Sequence, residues 1–185
     1  MEKEKGKVKN ILVRGRPGSG KTTLAVSLVD SLSRRGFKVA GLVTEEIREG
    51  KSRRGFKVRD LNGEEAVLAH VDFAEGPRVG KYGVDVAAFE GIALRALRKG
   101  LEEADLLIID EIGKMESLSP AFRQLVMEIF ENPVCVLATL PAGDDPFLLS
   151  LLQREDVSVW SVEVFNRDRL REVIEGELLE ILGRG

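Results

Sequence analysis

The sequence predicts an α/β fold: a mostly parallel β-sheet with helices on both faces and a β-hairpin inserted at its edge. Three observations predict it. A Gly-rich segment, GRPGSGKT at residues 15–22, stands between an apolar run and an amphipathic one. Short apolar runs then alternate with stretches of helical periodicity towards the C-terminus, the pattern of parallel strands joined by crossover helices. One stretch breaks the alternation: residues 53–60 and 64–70 are β-type runs joined across Leu61-Asn62-Gly63, a hairpin signal.

Taken in order, residues 8–14 form the first strand and 22–35 a helix with Leu24, Leu28 and Leu32 on one face, stopped by Gly36. Residues 37–44 read as a second strand, parallel to the first because a helix separates them. The hairpin follows. Residues 71–84 are Gly-rich and without clear periodicity, which reads as a loop over the site. Asp85 is placed to cap a helix running to Lys99, with Gly100 as its stop. DLLIID, residues 105–110, is a strand covered on both faces. Ser119-Pro120 opens the next helix and Asn132-Pro133 ends it. A strand over 134–139, a short helix begun at Asp145-Pro146, a last strand over 157–165 and a helix over 167–182 complete the chain.

The 185 residues suit one domain spanning 1–185, large enough to bury about 70% of the surface its unfolded form exposes. Charged residues make up 32% but nearly cancel, to a net charge of -3, so charge does not indicate a nucleic-acid partner, although local basic patches leave room for one. No protein partner is indicated. Cys135 is the only cysteine and lies in an apolar run, where a buried thiol is expected rather than a nucleophile. The lack of a disulfide framework suits a cytoplasmic location, and no apolar run is long enough to span a bilayer. Glu, Lys and Arg are abundant while Asn and Gln are scarce, a bias of heat-adapted proteins.

The spacing of GRPGSGKT is that of a phosphate-binding loop, or P-loop. Gly15, Gly18 and Gly20 permit backbone conformations that turn successive N–H groups inward around an anion, with Arg16, Pro17 and Ser19 completing the cradle. Lys21 reaches the β- and γ-phosphates, Thr22 offers a hydroxyl to Mg²⁺, and Thr23 continues into a helix whose positive dipole end faces the same phosphates. A nucleotide-bound Mg²⁺ also needs a carboxylate at the end of a buried neighbouring strand. Asp110 stands there. Glu111, next to it, is placed to orient and deprotonate a water attacking the γ-phosphate. These residues predict a P-loop nucleoside-triphosphatase acting on nucleoside triphosphates with Mg²⁺ as cofactor.

Beyond this generic loop, the chain carries Thr-Glu-Glu-Ile-Arg at 44–48, Arg-Arg-Gly-Phe at 53–56, Val-Gly-Lys-Tyr at 79–82, DEIGKME at 110–116 and Asn-Arg-Asp at 166–168. As a set these resemble the small nucleoside-triphosphatase family first described from thermophilic microbes, to which the vertebrate cancer-related nucleoside-triphosphatase is related. The resemblance covers nearly the whole chain. It departs at Leu140-Pro141 after Thr139, where the family's pattern carries a His. The resemblance implies a RecA-like sheet in which a strand, here 134–139, is inserted between the phosphate-loop strand and the acidic one. Thr139 is then either a sensor of phosphate or water, or a plain strand-ending Thr.

Lys114, just past the acids, is a candidate for a positive charge acting on the transition state in cis. Arg48, Arg53 and Arg54 are further candidates, or else edge-strand charges that discourage aggregation. Tyr82 is read as a base-stacking or pocket-capping group, or as an anchor for its loop. Asn166 and Arg167 follow the last strand, on the side where a base is expected; Arg167 offers a stacking face, and Asn166 is placed to cap the final helix. His70 has no Cys or His companions and is not read as a metal ligand. No Asn-Lys-x-Asp guanine reader is present, so ATP, GTP, CTP and UTP are all expected as substrates. Turnover is expected to be slow, because the candidate cations lie on loops or the edge insertion. Two rival readings use the same machinery: a nucleotide or nucleic-acid kinase whose hydrolysis is leakage, and a nucleotide-dependent switch module.

Overall fold

The computed structural model describes residues 7–183; the outer limits of the domain expected over 1–185 lie outside the described residues. The chain runs β1 (Asn10–Gly15), α1 (Lys21–Arg34), β2 (Val39–Glu49), β3 (Ser52–Asp60), β4 (Glu65–His70), β5 (Arg78–Val79) and β6 (Tyr82–Val84). It continues through α2 (Val86–Glu103), β7 (Leu106–Asp110), α3 (Pro120–Glu131), β8 (Cys135–Pro141), α4 (Pro146–Leu152), β9 (Val157–Ser161) and α5 (Arg167–Leu182). All strands join one nine-stranded sheet in the order β5-β6-β4-β3-β2-β7-β8-β1-β9. From β2 to β9 the pairings are parallel, and from β2 outward to β5 they are antiparallel.

The two-residue alternation of strand side chains builds a core on each face. Leu12 of β1 and Leu107 and Ile109 of β7 pack with Phe89 and Leu97 of α2, Phe122 and Ile129 of α3 and Leu148 of α4. Their neighbours Ile11, Val13, Leu106 and Ile108 point the other way, onto Leu24 and Leu28 of α1 and Ile174 and Leu178 of α5. Helix starts follow the sequence signals: Asp85 accepts from Ala88 N–H (2.9 Å), Ser119 from Phe122 N–H (3.0 Å) and Asp145 from Phe147 N–H (2.8 Å). The expected inserted strand is β8, lying between β7 and β1, and β9 lies on the far side of β1.

Three expectations are corrected. Residues 71–84 do not form a loop over the site; they contain the β5–β6 ribbon, which lies at the sheet edge remote from β1. Tyr82 anchors that ribbon, its hydroxyl accepting from Arg53 Nε (3.0 Å) and its ring meeting Phe56 edge-on at 5.2 Å. The insertion is also larger than one hairpin, because β2 continues to Glu49 and turns through Gly50, at φ 61°, into β3. Finally, Gly100 does not stop α2, which runs on to Glu103. A Cβ at Gly100 would lie 2.3 Å from Leu107 Cδ1, so this glycine lets the helix sit close to the sheet.

Candidate functional site

The GRPGSGKT loop leaves the end of β1 and enters α1, with Leu24 N–H donating to Gly20 carbonyl as the helix begins (2.9 Å). Gly18 and Gly20 adopt positive φ of 80° and 96°, the backbone that only glycine takes without strain. Gly15 is needed for a different reason than the expected one. Its φ is ordinary, but a Cβ there would lie 2.4 Å from Ser19 Oγ and 2.8 Å from Val162 Cγ1. Arg16, Pro17, Gly18 and Thr23 are exposed, whereas Ser19 is buried and its Oγ has no hydrogen-bond partner. Lys21 is buried, its Nζ donating to the carbonyls of Gly15 (2.7 Å) and Arg16 (3.3 Å).

Asp110, at the end of β7, is nearly inaccessible. Its Oδ1 accepts from Thr139 Oγ1 at 2.5 Å, while its Oδ2 is buried with no hydrogen-bond partner. Burial raises its pKa, and the Thr139 and Thr22 hydroxyls, the Thr44 backbone N–H and the Lys21 ammonium work against that rise by favouring the charged form. The fold thus brings Thr22 and Asp110 together across β8. An orphaned carboxylate oxygen beside a hydroxyl is a donor set for a hard, oxygen-seeking cation such as Mg²⁺. Among the described residues no group of three His, Cys, Asp or Glu side chains could hold a metal by itself, so a cation here would draw its remaining ligands from phosphate and water. Thr139, the Thr near the end of β8, gives its hydroxyl proton to Asp110.

Glu111 follows on the same loop, and the Asp110–Glu111 peptide is cis. Burial pushes its carboxyl above the usual range; Lys21 opposes this and the Asp110 charge adds to it. Its neighbour Glu116 was not singled out as a site residue by sequence reasoning. It lies on a 3₁₀ turn, Glu116–Leu118, and is buried, with Oε2 accepting from Gly113 N–H at 3.2 Å. A Cβ on Gly113 would lie 3.0 Å from Glu116 Oε2 and 3.3 Å from Glu111 Oε1, so the two carboxyls flank one glycine. Burial, with the Glu111 charge second, pushes Glu116 up to about 8. An acid on a strand-to-helix loop ordinarily reads as solvated; its place in DEIGKME was the only signal.

Among the candidate cations, Lys114 is exposed on the turn after Glu111. The edge arginines are already engaged: Arg48 and Arg53 with Glu46 (2.7 and 3.0 Å), and Arg54 with Asp72 (3.1 Å). Arg167, at the start of α5, lies over the phosphate loop, its Cδ 2.5 Å from where a Cβ on Gly20 would stand. Asn166 does not cap α5 with its side chain as expected. Its Oδ1 accepts from Glu163 N–H (2.8 Å) and its Nδ2 donates to Ser161 carbonyl (3.2 Å), so the amide braces the loop before the helix.

A glycine-rich loop between a buried strand and a helix, facing an Asp–Glu pair one inserted strand away, places the chain in the P-loop class of α/β proteins. Within that class its family is also defined. A family described as NTPase matches residues 10–175, and the chain belongs to it. The nucleoside-triphosphatase THEP1 of Thermotoga maritima is 44% identical over 172 residues, covering 93% of this chain and 94% of that protein. The protein of the same name from Thermofilum pendens is 44% identical over 179 residues, 95% and 98% of the two chains. Among solved structures, the crystal structure of THEP1 from Aquifex aeolicus superposes with a TM-score of 0.82 at 35% identity, covering 91% of this chain and 98% of that one. The solution structure of a human cancer-related nucleoside triphosphatase gives 0.80 at 35%, covering 94% and 98%. The resemblance to the thermophile family and its vertebrate relative, drawn from DEIGKME and its companions, is borne out. Among the described residues no helix is long and apolar enough to cross a membrane.

Proposed function

We propose that this chain is a Mg²⁺-dependent nucleoside-triphosphate phosphohydrolase, releasing the diphosphate and phosphate, of broad base selectivity and slow turnover. One observation carries the reading: the buried, unpartnered Oδ2 of Asp110 stands with the Thr22 hydroxyl beside the phosphate loop, with Glu111 next in the chain. The loop amides and Lys21 bind the phosphates. Thr22 and Asp110 would hold Mg²⁺, which would supply neutralisation of the phosphate charge. Thr139 fixes Asp110 by its hydrogen bond, leaving Oδ2 as the free donor. Glu111 orients and deprotonates the attacking water, and burial raises its proton affinity, which strengthens it as a base. Lys114 is the cis cation, because it follows the acids directly while the edge arginines are engaged in ion pairs with Glu46 and Asp72. An exposed turn preorganises charge poorly, which supports slow turnover. The related THEP1 proteins, named nucleoside-triphosphatases, support the reaction class.

The test is product analysis with γ-labelled ATP, GTP, CTP and UTP, with and without Mg²⁺. Metal-dependent free phosphate from all four is expected. Label transferred to an added nucleotide or polynucleotide hydroxyl in place of free phosphate would assign the chain to the kinases instead.

A further inference from the structure

Val164 and Phe165 stand on the loop between β9 and α5 and are 70% and 89% exposed. Nothing in the hydrolytic site uses them. The loop that carries them is pinned. Val162 N–H donates to Arg14 carbonyl (2.8 Å), the buried Val162 side chain fits against Gly15, and Asn166 ties Glu163 and Ser161 together through its amide. An aromatic ring is therefore held out in water by a loop fixed to the phosphate loop itself.

The topology says what lies over it. Asp110 and Glu111 stand on the β7 side of β1, with β8 between. A γ-phosphate must face these acids, so the phosphate chain, lying along the loop, directs the rest of the nucleotide away from them. That direction is towards β9 and its following loop, where Arg167 already lies over Gly20. We propose that Phe165, with Val164 beside it and together with Arg167, is the stacking platform for the base of the bound nucleoside triphosphate. This rests on the phosphate site of the hydrolase reading. It also gives that reading's broad selectivity a physical cause, because every base has a π-face and stacking does not read its hydrogen-bonding edge.

The experiment is equilibrium titration of the whole chain with Mg²⁺-ATP, Mg²⁺-CTP and Mg²⁺-tripolyphosphate, for wild type, Phe165→Ala and Phe165→Trp, with the mass of each protein measured in solution. Phe165→Ala is expected to weaken both nucleotides about tenfold, with a matching rise in KM, while tripolyphosphate binding is unchanged and Phe165→Trp restores the nucleotides. Equal nucleotide affinity in wild type and Phe165→Ala overturns the platform and leaves the phosphate site standing. Equal losses for nucleotide and tripolyphosphate overturn it too, since they report a distorted loop. A mass lowered by Phe165→Ala with nucleotide affinity unchanged makes the patch a self-association surface and overturns it. Failure of the wild type to bind any of the three overturns the hydrolase reading and this inference together.

Discussion

Replacing Glu116 by Gln removes one buried titration while keeping the shape of the turn and an oxygen to accept the Gly113 N–H. In the folded chain burial, reinforced by the Glu111 charge, pushes this carboxyl from an ordinary value of 4.5 to about 8. The sign follows from linkage: between those two values the unfolded chain releases the proton and the folded chain keeps it. Glu116 thus costs no stability below pH ~4.5. Stability then falls by about 1.4 kcal/mol for each pH unit up to ~8 and levels off beyond it. The interval from 4.5 to about 8 corresponds to roughly 5 kcal/mol, a large share of the ~5–15 kcal/mol of a typical domain. Urea unfolding of wild type and Glu116→Gln from pH 4 to 9 reads the effect as a difference, so titrations common to both proteins cancel. Cys135, whose thiol burial pushes up to about 12, is one of those. The variants should be nearly equally stable at pH ~4.5, with Glu116→Gln ahead by about 3–5 kcal/mol at pH ~8.5. A difference that stays within about 1 kcal/mol across the range would refute the claim that Glu116 is held protonated by its burial.

Glu111→Gln should bind Mg²⁺-nucleotide yet lose about two to four orders of magnitude in turnover; unchanged turnover at saturating nucleotide removes Glu111 from the mechanism. Asp110→Asn should weaken Mg²⁺ affinity, shown by a rightward shift of activity against metal concentration, because it removes the carboxylate charge whose Oδ2 is buried without a hydrogen-bond partner. Specificity constants for ATP, GTP, CTP and UTP should fall within about tenfold, and a preference beyond about a thousandfold would demand a hydrogen-bonding base reader. Wild-type turnover should lie well below ~10 s⁻¹, and Lys114→Ala should slow single-turnover hydrolysis at least about tenfold with nucleotide affinity nearly intact. Equal single-turnover rates in the two proteins would clear Lys114 of a role.

Features that depend on neighbours along the chain are legible before folding is considered. The spacing of GRPGSGKT carries its own local backbone demands, and a strand such as DLLIID announces double-sided burial by its unbroken apolar run. Caps at Asp85, Ser119 and Asp145 are read from residues a turn away. For these the energetics are local, so pattern suffices. Other features emerge only on folding, because the partner that fixes them is distant in the chain. Gly100 looks like a helix stop until Leu107 of β7 is seen to need the space. Residues 71–84 look like a loop until β6 finds its pairing with β4. Thr139 meets Asp110 only because β8 is inserted beside β7, bringing its hydroxyl to the carboxylate. Glu116 acquires its proton affinity from the core that closes over it, and the loop carrying Phe165 is tied to the phosphate loop by the packing of Val162 against Gly15. Burial and juxtaposition are properties of the assembled sheet, and no period or motif in the chain encodes them residue by residue.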